Sequence, residues 1–114
     1  MQKDDCIFCK IAAKKISSKA VFEDEELLAF EDIDPQSPVH IVVISKAHIE
    51  KLSDTGDEDA QLVGRMVMTA KRIAKDRGIQ ESGYRVVINC NKDGGQAVWH
   101  LHLHLLGGRQ MHWP

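Results

Sequence analysis

The chain has 114 residues, 15 Lys and Arg against 17 Asp and Glu for a formal charge of −2, and 3 cysteines. That length suits one domain, residues 1–114, whose core needs no disulfide staple, and a near-balanced charge without long basic runs argues against a nucleic acid partner. No apolar run approaches the ~20 residues of a membrane span, and MQKDD is too acidic to open a signal peptide. A cytoplasmic protein is expected, with cysteines that serve as thiols, metal ligands or packing.

In chain order, residues 1–5 read as a frayed tail. CIFCKIAAKKI brings Ile7, Ile11 and Ala12 onto one helical face and predicts a short helix over residues 6–15. AVFE (20–23) and LLAFED (27–32) predict two strands around an acidic hairpin turn, DPQSP (34–38) a loop, and the β-branched VHIVVIS (39–45) a third strand. Over residues 53–78, Val63, Met66, Val67, Ala70, Ile73 and Ala74 recur at helical spacing. Acids crowd the start, bases the end, and Gly78 stands where a C-terminal cap belongs, so this is the one long helix, with Met66 and Met68 read as packing. YRVVINC (84–90) predicts a fourth strand that packs Cys90, NKDGGQ (91–96) a tight loop, and AVWHLHLHLL (97–106) a fifth strand. Short turns between successive strands imply an antiparallel sheet, and one long helix across a face makes the fold α+β.

WHLHLHLLGG at 99–108 is the feature that asks for chemistry. On a strand, His100, His102 and His104 share one face at roughly 6.6 Å intervals, while Leu101, Leu103 and Leu105 take the other. Leucines suit a core, but a row of imidazoles holds its place only through hydrogen bonds, a metal or a reaction. Just upstream, Gly94 and Gly95 free the backbone to aim several N–H groups at an anion, with the Gln96 amide as a further donor. Two chemistries fit an imidazole row beside an anion pocket. His102 could attack phosphorus with His104 and loop amides steadying the charge, or two or three imidazoles could bind zinc and activate water. Spacing alone leaves both open.

HLHLHLL, in the setting GGQAVWHLHLHLLGGRQMHWP, resembles the histidine-triad (HIT) superfamily and within it the Hint branch of purine nucleoside phosphoramidate hydrolases. The likeness runs from Cys6 to the C-terminus through FEDEELLAFEDIDPQSPVHIVVISKAHI and GYRVVIN. It implies the HIT fold, a five-stranded antiparallel sheet with one long and one short helix, continued across a homodimer. It also implies that His102 is the nucleophile, that His104 contacts the phosphate, and that the His100 carbonyl orients the His102 ring, with His40 in support. By the same likeness Asn89 lies near the phosphate with the Gly95, Gln96, Ala97 and Val98 loop, and Asp32 accepts the ribose hydroxyls of AMP or GMP. Ile7, Phe8, Ile11, Ile16, Phe30 and Ile33 match the apolar purine slot, where a flat base meets aliphatic and aromatic surfaces; for Ile11 and Ile16 plain core packing is the competing reading. Trp113 resembles the C-terminal tryptophan that reaches toward the partner's site, and His112 reads as surface or interface.

Ala97 departs from the pattern, since many Hint proteins carry a serine there whose hydroxyl reaches the substrate near phosphorus. A lost donor of that kind costs on the order of 10-fold or more in rate. Ser17 also replaces a common proline, which alters only a turn. Cys6 and Cys9 form C-x-x-C without the preceding strand of a thioredoxin-like redox pair. The CIFC opening resembles a subset of HIT proteins with a structural zinc on two cysteines, the KxHI histidine and the first triad histidine, here Cys6, Cys9, His48 and His100. No catalytic metal is expected. Two other functions stay open: a purine-nucleotide-binding interaction module with vestigial turnover, and a dinucleoside polyphosphate hydrolase.

Overall fold

The computed structural model describes residues 3–113; positions 1 and 2 of the expected tail, and Pro114, lie outside the described residues. Five antiparallel strands lie in the order β1-β2-β3-β5-β4, with β1 Ala20–Glu23, β2 Leu27–Glu31, β3 Val39–Ser45, β4 Tyr84–Val87 and β5 His102–Gly107. A long helix, α2 (Ala60–Asp76), covers one face and a short one, α1 (Ile7–Ala12), packs on the other.

Side-chain alternation sorts the strands between these two layers. Leu27, Ala29, Ile41, Val43, Leu103 and Leu105 pack with Met66, Ala70, Ile73 and Ala74 of α2. Leu28, Phe30, Val42 and Ile44 pack with Phe8, Cys9, Ile11 and Ala12 of α1. Both faces of β2 and β3 are therefore apolar. The leucine row behaves as its spacing predicts: Leu101, Leu103 and Leu105 are at most 1% exposed, each contributing about 1.5–3 kcal/mol of burial. That burial anchors a strand whose opposite face carries imidazoles.

Element boundaries moved where caps and bends overrule periodicity. The long helix starts at Ala60 rather than residue 53, because Gly56 is extended and its N–H donates to Asp59 Oδ2 at 3.0 Å, while Asp59 N–H returns to the Gly56 carbonyl at 2.9 Å. The early acids thus build a cap and two short 3₁₀ turns, Leu52–Asp54 and Asp57–Asp59. At the other end Gly78 has φ +74° and Ile79 N–H donates to the Ala74 carbonyl at 3.0 Å, the Schellman ending expected there. The short helix has Cys6 as its N-cap, accepting from Cys9 N–H, and is over by Lys14, whose φ is +65°. Lys3 is not frayed, for its N–H meets Cys9 Sγ at 3.3 Å. β4 stops at Val87, which leaves Cys90 outside the strand and beside Ser53 Oγ at 3.1 Å. β5 begins only at His102, because residues 98–100 bend and His100 N–H turns back to the Val98 carbonyl at 2.9 Å.

Candidate functional site

The six-residue α1 would be marginal alone. It is held over the sheet by Phe8, whose ring meets Phe30, His102 and His100 edge-on at centroid separations of 5.7, 5.1 and 5.9 Å. His102 and His104 leave β5 on this same side with their rings 4.9 Å apart. His100 points to that side too, although its backbone lies outside the strand, and is fully buried. Two clusters result, one on each side of His102.

In the first, the four heteroatoms of Cys6, Cys9, His48 and His100 lie within 4.8 Å of one another. His100 Nδ1 is 3.2 Å from Cys6 Sγ, 3.6 Å from Cys9 Sγ and 3.3 Å from His48 Nδ1, and His48 Nδ1 is 3.3 Å from Cys9 Sγ. A tetrahedral zinc ion would ask for N···N edges of about 3.3 Å and N···S edges of about 3.6 Å, given its usual bond lengths. The donors fit. A second layer prepares them: His100 Nε2–H donates to the Ser45 carbonyl at 2.6 Å, which leaves Nδ1 as the lone pair turned to the thiols. Lys3 N–H points at Cys9 Sγ and Cys9 N–H at Cys6 Sγ, as suits thiolates. Burial pushes the Cys9 thiol above its ordinary value and the His100 imidazole down to about 4, so the imidazole is a neutral ligand and the thiol calls for a cation to ionise. The His48 Nε2 atom is buried with no hydrogen-bond partner among the described residues, so the ring's polar contacts run through Nδ1 while it packs edge-on against His100.

The second cluster joins Asp32, His40 and His104, also within 4.8 Å, with His40 Nε2 at 2.9 Å from His104 Nδ1 and 3.4 Å from Asp32 Oδ2. It resembles a facial metal triad in composition, yet the backbone argues otherwise. Gln36 N–H donates to His40 Nδ1 at 3.0 Å, so the proton of the neutral ring sits on Nε2, the atom a metal would need bare. The same reasoning gives His102 the opposite tautomer: Nδ1–H donates to the His100 carbonyl at 2.6 Å, and Nε2 keeps its lone pair. Burial lowers both His102 and His104, the latter to about 4, with the charges of His102 and His40 adding to burial at His104.

This has a consequence for stability. His104 takes a proton near its ordinary 6.5 in the unfolded chain but only near 4 when folded, so the unfolded state binds more protons between those values. The contribution is whole above pH 6.5 and is lost as pH falls through 4. We expect the melting temperature to decline over that window, and to decline less in His104→Gln; equal slopes in the two proteins would remove His104 as the cause.

The remaining candidates lie in several parts of the molecule. Phe8, Ile11 and Phe30 are buried in the α1 layer, while Ile7 and Ile16 are partly exposed and Ile33 is 99% exposed. Asp32 and Ile33 line a hollow of about 540 Å³ with Ser17, Ser18, Lys19 and Pro35. The glycine loop differs from expectation. Gln96 is buried and its carboxamide spans the loop, Nε2 donating to the Glu50 and Val98 carbonyls and Oε1 accepting from Asn91 N–H, so it braces the loop and is not offered to an anion. Gly95 (φ +79°) and Gln96 turn their own N–H groups back to the Lys92 and Asn91 carbonyls, whereas no hydrogen bond among the described residues engages the N–H of Ala97 or Val98. Ala97 is exposed, Val98 packs against the α1 layer, and Asn89 is half-buried just beyond β4. Trp113 is 94% exposed at the chain's end. Three participants escaped the sequence reading. Gln36 and Ser45 act through main-chain atoms that no residue pattern reports, and Trp99, half exposed beside Ile7, Ala97 and Val98 around a second hollow of about 630 Å³, was absorbed into the strand pattern.

A HIT domain family model matches residues 13–111. The chain is 49% identical over 110 residues to "Adenylylsulfatase HINT1" of Arabidopsis thaliana, covering 95% of this chain and 74% of that protein. It is 47% identical over 112 residues to "14 kDa zinc-binding protein" of Brassica juncea, covering 96% and 98%. The crystal structure of a HIT family hydrolase from Legionella pneumophila Philadelphia 1 superposes with a TM-score of 0.94 at 51% identity, covering 96% of this chain and 98% of that one.

Proposed function

The chain belongs to the HIT family, and on that premise we propose that it is a hydrolase of purine nucleoside 5′-phosphoramidates, AMP or GMP derivatives, acting through a nucleotidyl-His102 intermediate. The observation that carries this is the His102 Nδ1–H bond to the His100 carbonyl, which leaves Nε2 as the nucleophilic atom. Nε2 gives its lone pair to the α-phosphorus as the P–N bond to the leaving amine breaks and that amine takes a proton from solvent. The ring gains positive charge as it bonds phosphorus, so the same 2.6 Å hydrogen bond strengthens along the reaction. Water then splits the phosphoryl-imidazole bond and frees the nucleotide.

His104 and the Ala97 and Val98 amides would hold the phosphoryl oxygens with Asn89 nearby, Asp32 would take the ribose hydroxyls, and the base would lie along the apolar side chains of Ile7, Phe8, Ile11, Ile16, Phe30 and Ile33. The hollow at Asp32 and Ile33 supports that assignment for the nucleoside end. Cys6, Cys9, His48 and His100 would hold a structural zinc, supported by the donor geometry and by the Brassica relative's name. Such an ion ties α1 to the sheet and supplies no step of the reaction. A homodimer is part of the same reading, with the edge strand β4 as the place where the sheet would continue and the exposed Trp113 free to reach the partner. So is a cytoplasmic setting; no helix among the described residues is long and apolar enough to cross a membrane.

The test is hydrolysis of an adenosine 5′-phosphoramidate in the presence of chelator, quenched in acid and read by intact mass. We expect turnover and a mass gain of one adenylyl group. Tight AMP binding without turnover would favour the binding-module reading, for which the missing hydroxyl at Ala97 is the specific observation. The Arabidopsis relative's name makes sulfate the first other leaving group to offer, so adenylyl sulfate belongs in the same assay.

A further inference from the structure

His102 and His104 are neighbours on one strand face, yet hydrogen bonds hold them in opposite tautomers. The origin of the His104 tautomer lies outside the triad. His40 Nδ1 accepts the Gln36 N–H at 3.0 Å, and a ring flip would put a carbon there and strand the donor. The His40 proton is therefore on Nε2, held further by the Asp32 carboxylate at 3.4 Å, whose other oxygen is occupied by the Asp34 N–H at 2.8 Å. Nε2–H can meet His104 Nδ1 at 2.9 Å only if that atom is bare, since two N–H groups cannot face each other at this distance.

We propose that the Gln36 backbone N–H, acting through His40, commits His104 to the Nε2–H tautomer and so makes it the hydrogen-bond donor of the phosphoryl site. His40 is then a positioning residue with a defined polarity. His104 must donate to phosphoryl oxygens while His102 must present a lone pair, and two adjacent imidazoles on one strand do opposite work because one is oriented by a carbonyl and the other by an N–H. The burial that holds His104 near 4 keeps it neutral at physiological pH, so it has a single ring proton whose location matters. The functional consequence rests on the phosphoryl-transfer reading above; the tautomer itself does not.

Long-range ¹H–¹⁵N correlation spectra of the labelled protein at neutral pH decide it. In the wild type we expect His104 to be protonated at Nε2 and bare at Nδ1, with His102 the reverse. His40→Gln, whose amide N–H₂ stands near the position of Nε2–H, should keep the His104 tautomer. His40→Leu, with no donor, should mix the two forms and lower kcat on the order of 10-fold with KM little changed. A wild-type His104 that is protonated at Nδ1, or at both nitrogens, overturns the proposal, as does an unchanged tautomer in His40→Leu. The wild-type spectrum suffices even if His40→Leu does not fold, and it needs no turnover, so failure of the relay and failure of the proposed activity are separately visible.

Discussion

His102→Ala should lower kcat/KM for an adenosine 5′-phosphoramidate by on the order of 10⁴-fold, with nucleotide affinity changed only a few-fold. The loss is large because in the proposed mechanism the Nε2 atom of this ring bonds phosphorus, and no neighbour can replace it. His104 has its Nδ1 engaged by His40, and the His100 ring is engaged by Ser45 and the cysteines. Affinity should survive because the proposed ribose and base contacts lie on other elements, β2, the loop after it and α1. Alanine also leaves the buried His100 carbonyl without its donor, a cost of about 1–3 kcal/mol in stability that could be mistaken for a catalytic effect. His102→Asn separates the two: its amide can donate to that carbonyl but cannot form the intermediate. We expect the asparagine protein to melt close to the wild type, to be equally inactive, and to show no adenylyl mass gain. Activity within 10-fold of wild type in either variant would move the nucleophile to another residue.

The sequence carried the layers and the family better than it carried the boundaries. Alternation in HLHLHL correctly separates the leucine core from the histidine side, since period-two patterning reports which face a side chain takes even where the ladder has not begun. It does not report that the ladder begins at His102, because the bend at residues 98–100 is set by hydrogen bonds from Leu101 to Ile49 and from Gln96 to Glu50, partners some fifty residues away in the chain. That bend gives His100 two jobs, its ring with the cysteines and its carbonyl with His102. Likewise the acids of DTGDEDA announce a helix start, but only the Gly56 and Asp59 pairing tells which residue it is. Gln96 shows the opposite failure. A polar residue beside a glycine pair looks like a ligand donor, and only the fold reveals that its amide is consumed by the loop. Main-chain orienters such as Gln36 and Ser45 leave no trace in residue identity at all.

The dual role of His100 sets the second large effect. If the proposed zinc is held there, Cys9→Ser should eliminate binding of about one zinc per chain, and either that substitution or extraction by a strong chelator should lower the melting midpoint by roughly 10 °C or more, because a structural site of this kind contributes several kcal/mol that a six-residue helix cannot replace. Phe8, Ile11 and Ala12 would keep some hold on the sheet through burial, so loosening should start at α1 and spread to its neighbours rather than unfold α2 and the leucine core first. Hydrogen exchange of the α1 amides, compared with those of α2, follows this directly. Catalysis should respond indirectly. Chelator too weak to extract the ion should leave turnover intact, since the proposed mechanism routes no step through it, whereas extraction should cost activity in step with α1 exchange as the His100 carbonyl loses its fixed place against His102. Instant inhibition by chelator ahead of any loosening of α1 would instead mean a metal at the reacting centre. A metal-free protein with an unchanged midpoint would mean that the four side chains are packed thiols and imidazoles and no zinc site at all.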